Sequence, residues 1–163
     1  MMHLVSTFFL VGHLRPAPGT WGSLAALPVA WVIHALGGVW AFVVATIVVI
    51  ALGWWAIRRD TAGKHDHDPS EIVIDEVAGQ WVALMPVMIG ASYAGVPVLA
   101  LWPGWITAFV MFRVLDIWKP GPVGWADRRT DAWGVMLDDV IAGAIAAGVV
   151  IVAAALSHGV MML

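Results

Sequence analysis

The chain alternates long apolar runs with short polar segments, a pattern typical of membrane-spanning helices. Five runs stand out, at residues 21–36, 39–57, 72–89, 96–115 and 133–156. A helix needs about 20 mainly apolar residues to cross the hydrocarbon core of a bilayer. Only Gly37-Gly38, a natural turn, separates the first two runs, so they predict a hairpin of two helices. We therefore predict an all-α fold, a small polytopic membrane helical bundle with four to five spans, the short first run being the uncertain one.

The first dozen residues are also apolar, but they are too short to cross a bilayer. No Lys or Arg precedes them, so the segment lacks the charged start of a cleaved signal peptide. We expect this N-terminal part to be an interfacial or re-entrant segment. The length of 163 residues favours a single integral-membrane domain over residues 1–163.

Composition supports the membrane interpretation and excludes several classes of function. Hydrophobic residues make up 61% of the chain and charged residues 12%, against about half and about a quarter in soluble domains. A net charge of −3 leaves no basic face, so we expect no nucleic-acid partner. The chain has no cysteine, which excludes disulfides, thiolate metal sites and a cysteine nucleophile.

The charged residues all fall on one side of the predicted bundle, which we call side A. Threading the chain through a bilayer places Arg15 and the segments 58–71 and 116–132 on side A. All eight Lys and Arg residues and all eleven Asp and Glu residues lie on that side or near the helix ends facing it. The positive-inside rule makes side A cytoplasmic. We therefore predict a multi-pass membrane protein whose chemistry takes place at the cytoplasmic face.

Two acidic pairs, Asp75-Glu76 and Asp138-Asp139, lie about one turn inside apolar runs. Carboxylates at this depth are unfavourable unless they are paired or bind a metal. Oxygen-only ligands favour Mg²⁺ or Mn²⁺ over zinc, so the four acids predict a divalent-cation site. The alternative is stabilisation of helix N-terminal carboxylates by the helix dipole, which explains one acid per helix better than two.

A basic motif follows, with Arg113, Asp116 and Lys119 spaced by three residues before Pro120. This spacing keeps the side chains near one helix face. Arg and Lys suit phosphate oxygens, and Asp116 can add to the shell of ligands around a metal. The alternative is an Arg–Asp ion pair with a lysine that extends toward the headgroups.

The segment 16–23 is rich in Pro and Gly and contains Gly19, Thr20 and Ser23. As a loop before a helix, it could cradle a phosphate with backbone amides and hydroxyls. A rigid turn with Ser23 as helix N-cap is the alternative. His65 and His67 have the appearance of metal ligands, but they lie in a polar stretch where solvated side chains are common, and their role stays open.

Missing motifs narrow the mechanism for a phosphate ester. The chain has neither an Asp-x-Asp-x-Thr motif for an aspartyl-phosphate nor the paired motifs of a histidine-nucleophile lipid phosphatase. With no cysteine available either, a metal-activated water is the simplest remaining nucleophile.

Four ordered segments together resemble one known family. They are Pro-Gly-Thr-Trp-Gly-Ser-Leu at 18–24, Ile-Val-Ile-Asp-Glu-Val-Ala-Gly at 72–79, Phe-Arg-Val-Leu-Asp-Ile-Trp-Lys-Pro at 112–120 and Gly-Val-Met-Leu-Asp-Asp-Val-Ile-Ala-Gly at 134–143. The chain resembles the bacterial phosphatidylglycerophosphatase A family over roughly residues 12–149. The resemblance implies a Mg²⁺-dependent enzyme of the bacterial inner membrane that hydrolyses phosphatidylglycerophosphate to phosphatidylglycerol and inorganic phosphate.

Given this resemblance, we infer the role of each residue from its position and its chemistry. The predicted metal ligands are Asp75, Glu76, Asp138 and Asp139, of which Asp75 and Asp139 are also taken as catalytic. Asp116 is predicted to be either a further ligand or the general base. The predicted phosphate-binding residues are Arg113, Lys119, Gly19, Thr20 and Ser23.

Two other functions remain open at this point. One is a CDP-alcohol phosphotransferase, whose Asp-Gly-x2-Ala-Arg-x8-Gly-x3-Asp-x3-Asp pattern is absent here. The other is an ion-coupled transporter or scaffold, which the clustering of carboxylates at a single face disfavours. The sequence does not specify the oligomeric state.

Overall fold

The computed structural model describes residues 2–63 and 69–161, the last four by their backbone alone. Within these ranges the chain forms α-helices joined by short turns and has no strand, so the all-α prediction is confirmed. The helices are α1 (Met2–Ser6), α2 (Pro18–Asp60), α3 (Ile74–Ala94), α4 (Trp102–Trp118), α5 (Pro122–Asp127) and α6 (Ala132–Met161). Short 3₁₀ turns at Val11–His13 and Val98–Leu101 precede α2 and α4.

Helix α2 is a hairpin that folds back at Gly38. Gly38 has φ 69° and ψ −168°, outside the helical region and accessible to glycine, and it divides α2 into a first arm, residues 18–37, and a second arm, residues 39–60. A β-carbon at Gly22 in the first arm would contact Val73, and one at Gly53 in the second arm would contact Ile74. A straight helix would place these two glycines about 45 Å apart. The predicted hairpin is therefore confirmed.

Four helices of the described chain are long and apolar enough to cross a membrane. They are Pro18–Asp60, Ile74–Ala94, Val98–Trp118 and Ala132–Ser157. Each arm of α2 has about 20 residues, the length of one span, so the bundle has four such helices and five such segments. The chain is a multi-pass membrane protein, as the apolar runs predicted.

Helix α3 lies at the centre of the bundle and packs against α2 and α6. The Trp81 indole Nε1 donates to the Ala26 carbonyl at 3.0 Å, and its ring lies 5.7 Å from the Phe42 ring, so one side chain joins both arms of α2. A β-carbon at Gly143 on α6 would overlap the Gly79 carbonyl oxygen on α3. Small residues at such a crossing let two helix backbones approach closely, and this approach brings the two acidic pairs together.

The N-terminal segment lies against one end of the bundle, where α2 ends and α3 begins. The Val73 amide donates to the Ser6 carbonyl at 2.9 Å, and the Ser6 hydroxyl donates to Asp60 Oδ2 at 2.7 Å. Gly12 packs directly on the backbone of Glu71. The segment therefore packs on the end of the bundle, and its position at the membrane interface stays a prediction. We call this end of the molecule the charged end, since α4 also ends there and α6 begins there.

Candidate active site

A cleft of about 390 Å³ opens at the charged end between α2, α3, α4 and α6. Its lining is formed by Ala17, Pro18, Gly19, Ser70, Ile72, Asp75, Glu76, Arg113, Asp116, Ile117, Lys119, Asp138 and Asp139. Every predicted site residue lines it except Thr20 and Ser23. Residues far apart in sequence thus converge because α3 and α6 start, and α4 stops, at the same depth.

Three carboxylates form a compact cluster inside the cleft. Asp75, Glu76 and Asp139 each offer an oxygen, and these oxygens lie within 4.8 Å of one another. Asp75 and Asp139 are buried, and Glu76 Oε2 has no hydrogen-bond partner among the described residues. Oxygens that share one Mg²⁺ lie about 3–4 Å apart. The cluster is therefore compatible with a bound divalent cation after small side-chain adjustments.

Asp138 lies in the same cleft but engages a different partner. Its Oδ2 accepts from Lys119 Nζ at 2.8 Å, and its Oδ1 accepts from the Asp139 amide at 3.0 Å. The structure thus places the four predicted acidic ligands together and groups three of them, while the fourth faces the lysine.

The two basic residues of the cleft are held by carboxylates. Arg113 Nη1 pairs with Asp116 Oδ2 and donates to the Ser23 hydroxyl at 3.4 Å. The Arg113–Asp116 ion pair, which the sequence analysis gave as the alternative to phosphate binding, is therefore present. Both residues nevertheless line the cleft, so the guanidinium lies beside the carboxylate cluster.

Lys119 follows α4 and bridges two acids, Asp127 and Asp138. Burial lowers the pKa of Lys119, but the hydrogen bonds to the two aspartates outweigh this effect, so its pKa is raised above the usual 10.5. The ammonium therefore keeps its charge throughout the neutral range and supplies a permanent positive charge at the cleft rim.

The glycine-rich segment is helical rather than a loop. Helix α2 begins at Pro18, so Gly19, Thr20 and Ser23 occupy its first turns; proline suits this position because its fixed φ is helical and its missing N–H is not needed there. Ser23 is not the N-cap, a position held by Ala17. The Ser23 hydroxyl instead donates to the Gly19 carbonyl at 2.8 Å.

Gly19 is the member of this segment that the cleft requires. A β-carbon there would overlap the Glu76 carboxylate and lie 3.2 Å from Arg113 Nη1. The absent side chain thus lets an acid of α3 and a base of α4 approach the start of α2. Thr20 is half-buried and lies outside the cleft lining.

One polar residue near the cleft was missed by the sequence analysis. Gln80 is fully buried, and neither of its amide atoms has a partner in the described part of the chain. It follows Glu76 by four residues, so both lie on one face of α3. Two features of the sequence could have identified Gln80: its four-residue spacing from Glu76 and its position as a lone amide in an apolar run.

No histidine among the described side chains lines the cleft. His65 and His67 lie outside the described residues. Within the N-terminal segment, His3 Nδ1 donates to Asp60 Oδ2 at 3.0 Å, and His3 Nε2 lies 3.2 Å from His13 Nε2. His34 contacts Ser92 away from the charged end.

Comparison with known proteins gives the family. A family model described as Phosphatidylglycerophosphatase A matches residues 4–154. The chain belongs to the phosphatidylglycerophosphatase A family. It is therefore a phosphatase, and the resemblance noted in the sequence is confirmed. The transferase and transporter alternatives do not fit this family.

Individual relatives agree over nearly the whole chain. Phosphatidylglycerophosphatase A of Haemophilus influenzae is 37% identical over 150 residues, covering 91% of this chain and 86% of the relative. Phosphatidylglycerophosphatase A of Escherichia coli K12 is 34% identical over 149 residues, covering 90% and 80%. A putative phosphatidylinositol-3-phosphatase of Bacteroides thetaiotaomicron is 33% identical over 145 residues, covering 86% and 85%. No solved structure shows significant similarity to the chain.

Proposed function

We propose that the chain hydrolyses phosphatidylglycerophosphate to phosphatidylglycerol and inorganic phosphate at the cytoplasmic membrane face, using Mg²⁺. One observation carries the proposal: the cluster of Asp75, Glu76 and Asp139 shares a single cleft with Arg113 and Lys119. Carboxylates that can hold a cation and bases that can hold a phosphate are the two requirements of metal-assisted phosphate-ester hydrolysis. The lipid is taken from the two relatives that are phosphatidylglycerophosphatase A enzymes.

The proposed cation ligands are Asp75, Glu76 and Asp139. All three are oxygen donors, which Mg²⁺ prefers, and Glu76 Oε2 is buried without a hydrogen-bond partner among the described residues, so it is suited to bind a cation. When bound, the ion supplies a lowered pKa for a coordinated water and offsets charge on the phosphoryl oxygens. We assign Asp138 to holding Lys119, because that contact already engages its carboxylate.

The proposed phosphate ligands are Arg113, Lys119 and the first turn of α2 at Gly19. The first N–H groups of a helix have no intrahelical acceptor, and α2 has no side-chain cap. Its amino end therefore favours an anion. Ser23 acts by positioning, since its hydroxyl contacts both Arg113 and the Gly19 carbonyl. Thr20 is given no part in phosphate binding, because it does not line the cleft.

Asp116 is the proposed general base. It is almost fully buried, lines the cleft and is oriented by its ion pair with Arg113. It accepts a proton from the attacking water while the water oxygen bonds to phosphorus and the phosphorus–glycerol bond breaks. The glycerol oxygen leaves with the electron pair and is protonated from solvent, so phosphatidylglycerol stays in the bilayer and phosphate is released.

A direct assay tests the proposal. Purified protein in mixed micelles should release phosphate from phosphatidylglycerophosphate with Mg²⁺ and stop on addition of excess EDTA. Activity that survives EDTA would contradict the metal assignment, and no release from folded protein would contradict the function. Because the Bacteroides relative is named for another lipid phosphate, phosphatidylinositol 3-phosphate belongs in the same assay, and we expect it to be the poorer substrate.

A further inference from the structure

We propose that one acyl chain of the lipid substrate binds in a groove on the exposed face of α4, directly beside the cleft. This α4 groove has a volume of about 540 Å³. All of its lining residues belong to α4, so it is an open, shallow depression along one helix face; they are Phe109, Val110, Arg113, Val114, Ile117 and Trp118. The inference rests on the proposed function, because it takes the substrate to be a phosphate ester of a diacyl lipid.

The α4 groove and the polar cleft are continuous. Arg113 and Ile117 line both. On one side of Arg113 lie the ion pair with Asp116 and the carboxylate cluster, and on the other side the α4 side chains that line the groove are aliphatic and aromatic. A lipid phosphate monoester has the same two parts in the same order, a charged headgroup joined to apolar chains, so one molecule can occupy both spaces.

The α4 groove is about as long as one leaflet of a bilayer is thick. From Trp118 to Phe109 the helix rises about 13–14 Å, close to half of the roughly 30 Å hydrocarbon thickness. Trp118 is 78% exposed at the charged end, the position of an interfacial tryptophan. A chain lying in the groove would start at headgroup depth beside the cleft and end near the midplane.

The groove is open to lipid, since Val110 and Val114 are both exposed. The substrate chain is favoured there over a bulk lipid chain because its headgroup is held at Arg113. This tether raises the effective concentration of the chain at the groove. The groove would thus add to the binding of diacyl substrates and orient their phosphate toward the carboxylate cluster.

The first test fills the groove. Val114→Trp should raise the KM for phosphatidylglycerophosphate in mixed micelles about tenfold, the loss expected for about two methylene contacts, with a smaller change in kcat. The matched control is Leu52→Trp on the second arm: Leu52 is 49% exposed and Val114 44%, so both substitutions add an indole to a lipid-facing surface. Wild-type KM for Val114→Trp, or an equal rise in the control, overturns the proposal.

The second test uses the wild-type protein and does not depend on a variant folding. Phosphatidylglycerophosphate with a photoactivatable diazirine in one acyl chain should label residues 109–118, and unlabelled substrate should suppress that labelling. Labelling spread over all exposed helices and insensitive to competitor would show bulk lipid only and overturn the groove. Failure of the proposed function is recognised separately, because the wild-type protein would then release no phosphate from the unlabelled lipid.

Discussion

Asp139 connects the two halves of the carboxylate cluster, since it alone comes from α6 while Asp75 and Glu76 come from α3. Asp139→Asn keeps the side-chain volume and removes one charge and one strong cation ligand. We expect phosphate release to fall about a hundred- to a thousandfold, with a higher Mg²⁺ concentration needed for the residual rate. The control is Asp131→Asn, an exposed acid before α6 that pairs with Arg129. If both variants keep wild-type rates, the metal assignment is wrong.

Lys119 gives a prediction about pH. Hydrogen bonds to two aspartates raise the pKa of Lys119 above its ordinary value of 10.5. The charge of Lys119 and the stability that its contacts contribute are therefore complete below pH 10.5 and are lost only as the pH rises through the raised pKa. Asp127→Asn removes one partner while Asp138 still holds the ammonium, so Lys119 should stay charged and KM should not rise between about pH 7 and 9 in either protein. KM measured against pH for both proteins checks this. A rise in KM toward about pH 9 in the wild-type protein would contradict the raised pKa of Lys119.

Gln80 is a fully buried amide on α3, one helical turn after Glu76. Because its amide atoms have no partner among the described residues, Gln80→Leu removes an unsatisfied polar group and should keep or raise stability by about 1 kcal/mol. Thr46→Val is the contrast: that buried hydroxyl donates to the Phe42 carbonyl at 2.8 Å, so its loss should lower stability. Thermal unfolding in detergent compares them. A large destabilisation by Gln80→Leu would show that the amide is hydrogen-bonded in the folded protein.

At the scale of elements, the crossing of α3 and α6 sets the distance between the acidic pairs. Gly143→Ala places a methyl group on the Gly79 carbonyl, so the helices must separate. We expect lower stability and at least tenfold lower activity, because Asp75 and Asp139 move apart. Gly148→Ala on the same helix is the control, since nothing lies within 4 Å of its β-carbon position and alanine favours helix by up to about 1 kcal/mol. Equal activity in both variants would contradict the close-approach argument.

The elements were predictable from the sequence because their signals are local. Apolar runs gave the helices, and Gly37-Gly38 gave the fold-back that Gly38 makes with its positive φ. The start of α2 was placed three residues late, because Gly and Pro in the segment 16–23 look like a loop when the N1 preference of Pro18 is not considered. The convergence of the cleft residues was predictable because they lie at the same depth on the predicted helices. The pairing of Asp138 with Lys119 was not predictable, because the direction of a side chain at a helix end depends on tertiary contacts.

At the scale of the whole molecule, charge is concentrated at one end. The cleft, the N-terminal segment and α5 all lie there, while Tyr93 and the Gly38 turn lie at the other end of the bundle. A lipid phosphatase needs this asymmetry, because the headgroup of its substrate lies at one membrane surface while the chains stay in the bilayer. The proposed α4 groove fits this arrangement, because it would hold an acyl chain of the substrate in the bilayer beside the cleft.

The asymmetry predicts an orientation that can be measured on the intact protein. The natural chain has no cysteine, so single cysteines can be introduced without background. Arg128→Cys, beyond α5, should react with a membrane-impermeant maleimide only after the cells are opened, since the positive-inside rule places that end in the cytoplasm. Tyr93→Cys, 95% exposed at the end of α3, should react in intact cells. Leu36→Cys, beside the fold-back of α2, should react there too if both arms span, which gives five crossings. Protection of Leu36→Cys would mean that the fold-back stays inside the membrane, so that the hairpin is re-entrant and three crossings remain. Labelling of Arg128→Cys in intact cells with protection of Tyr93→Cys would reverse the orientation and place the cleft on the outer face.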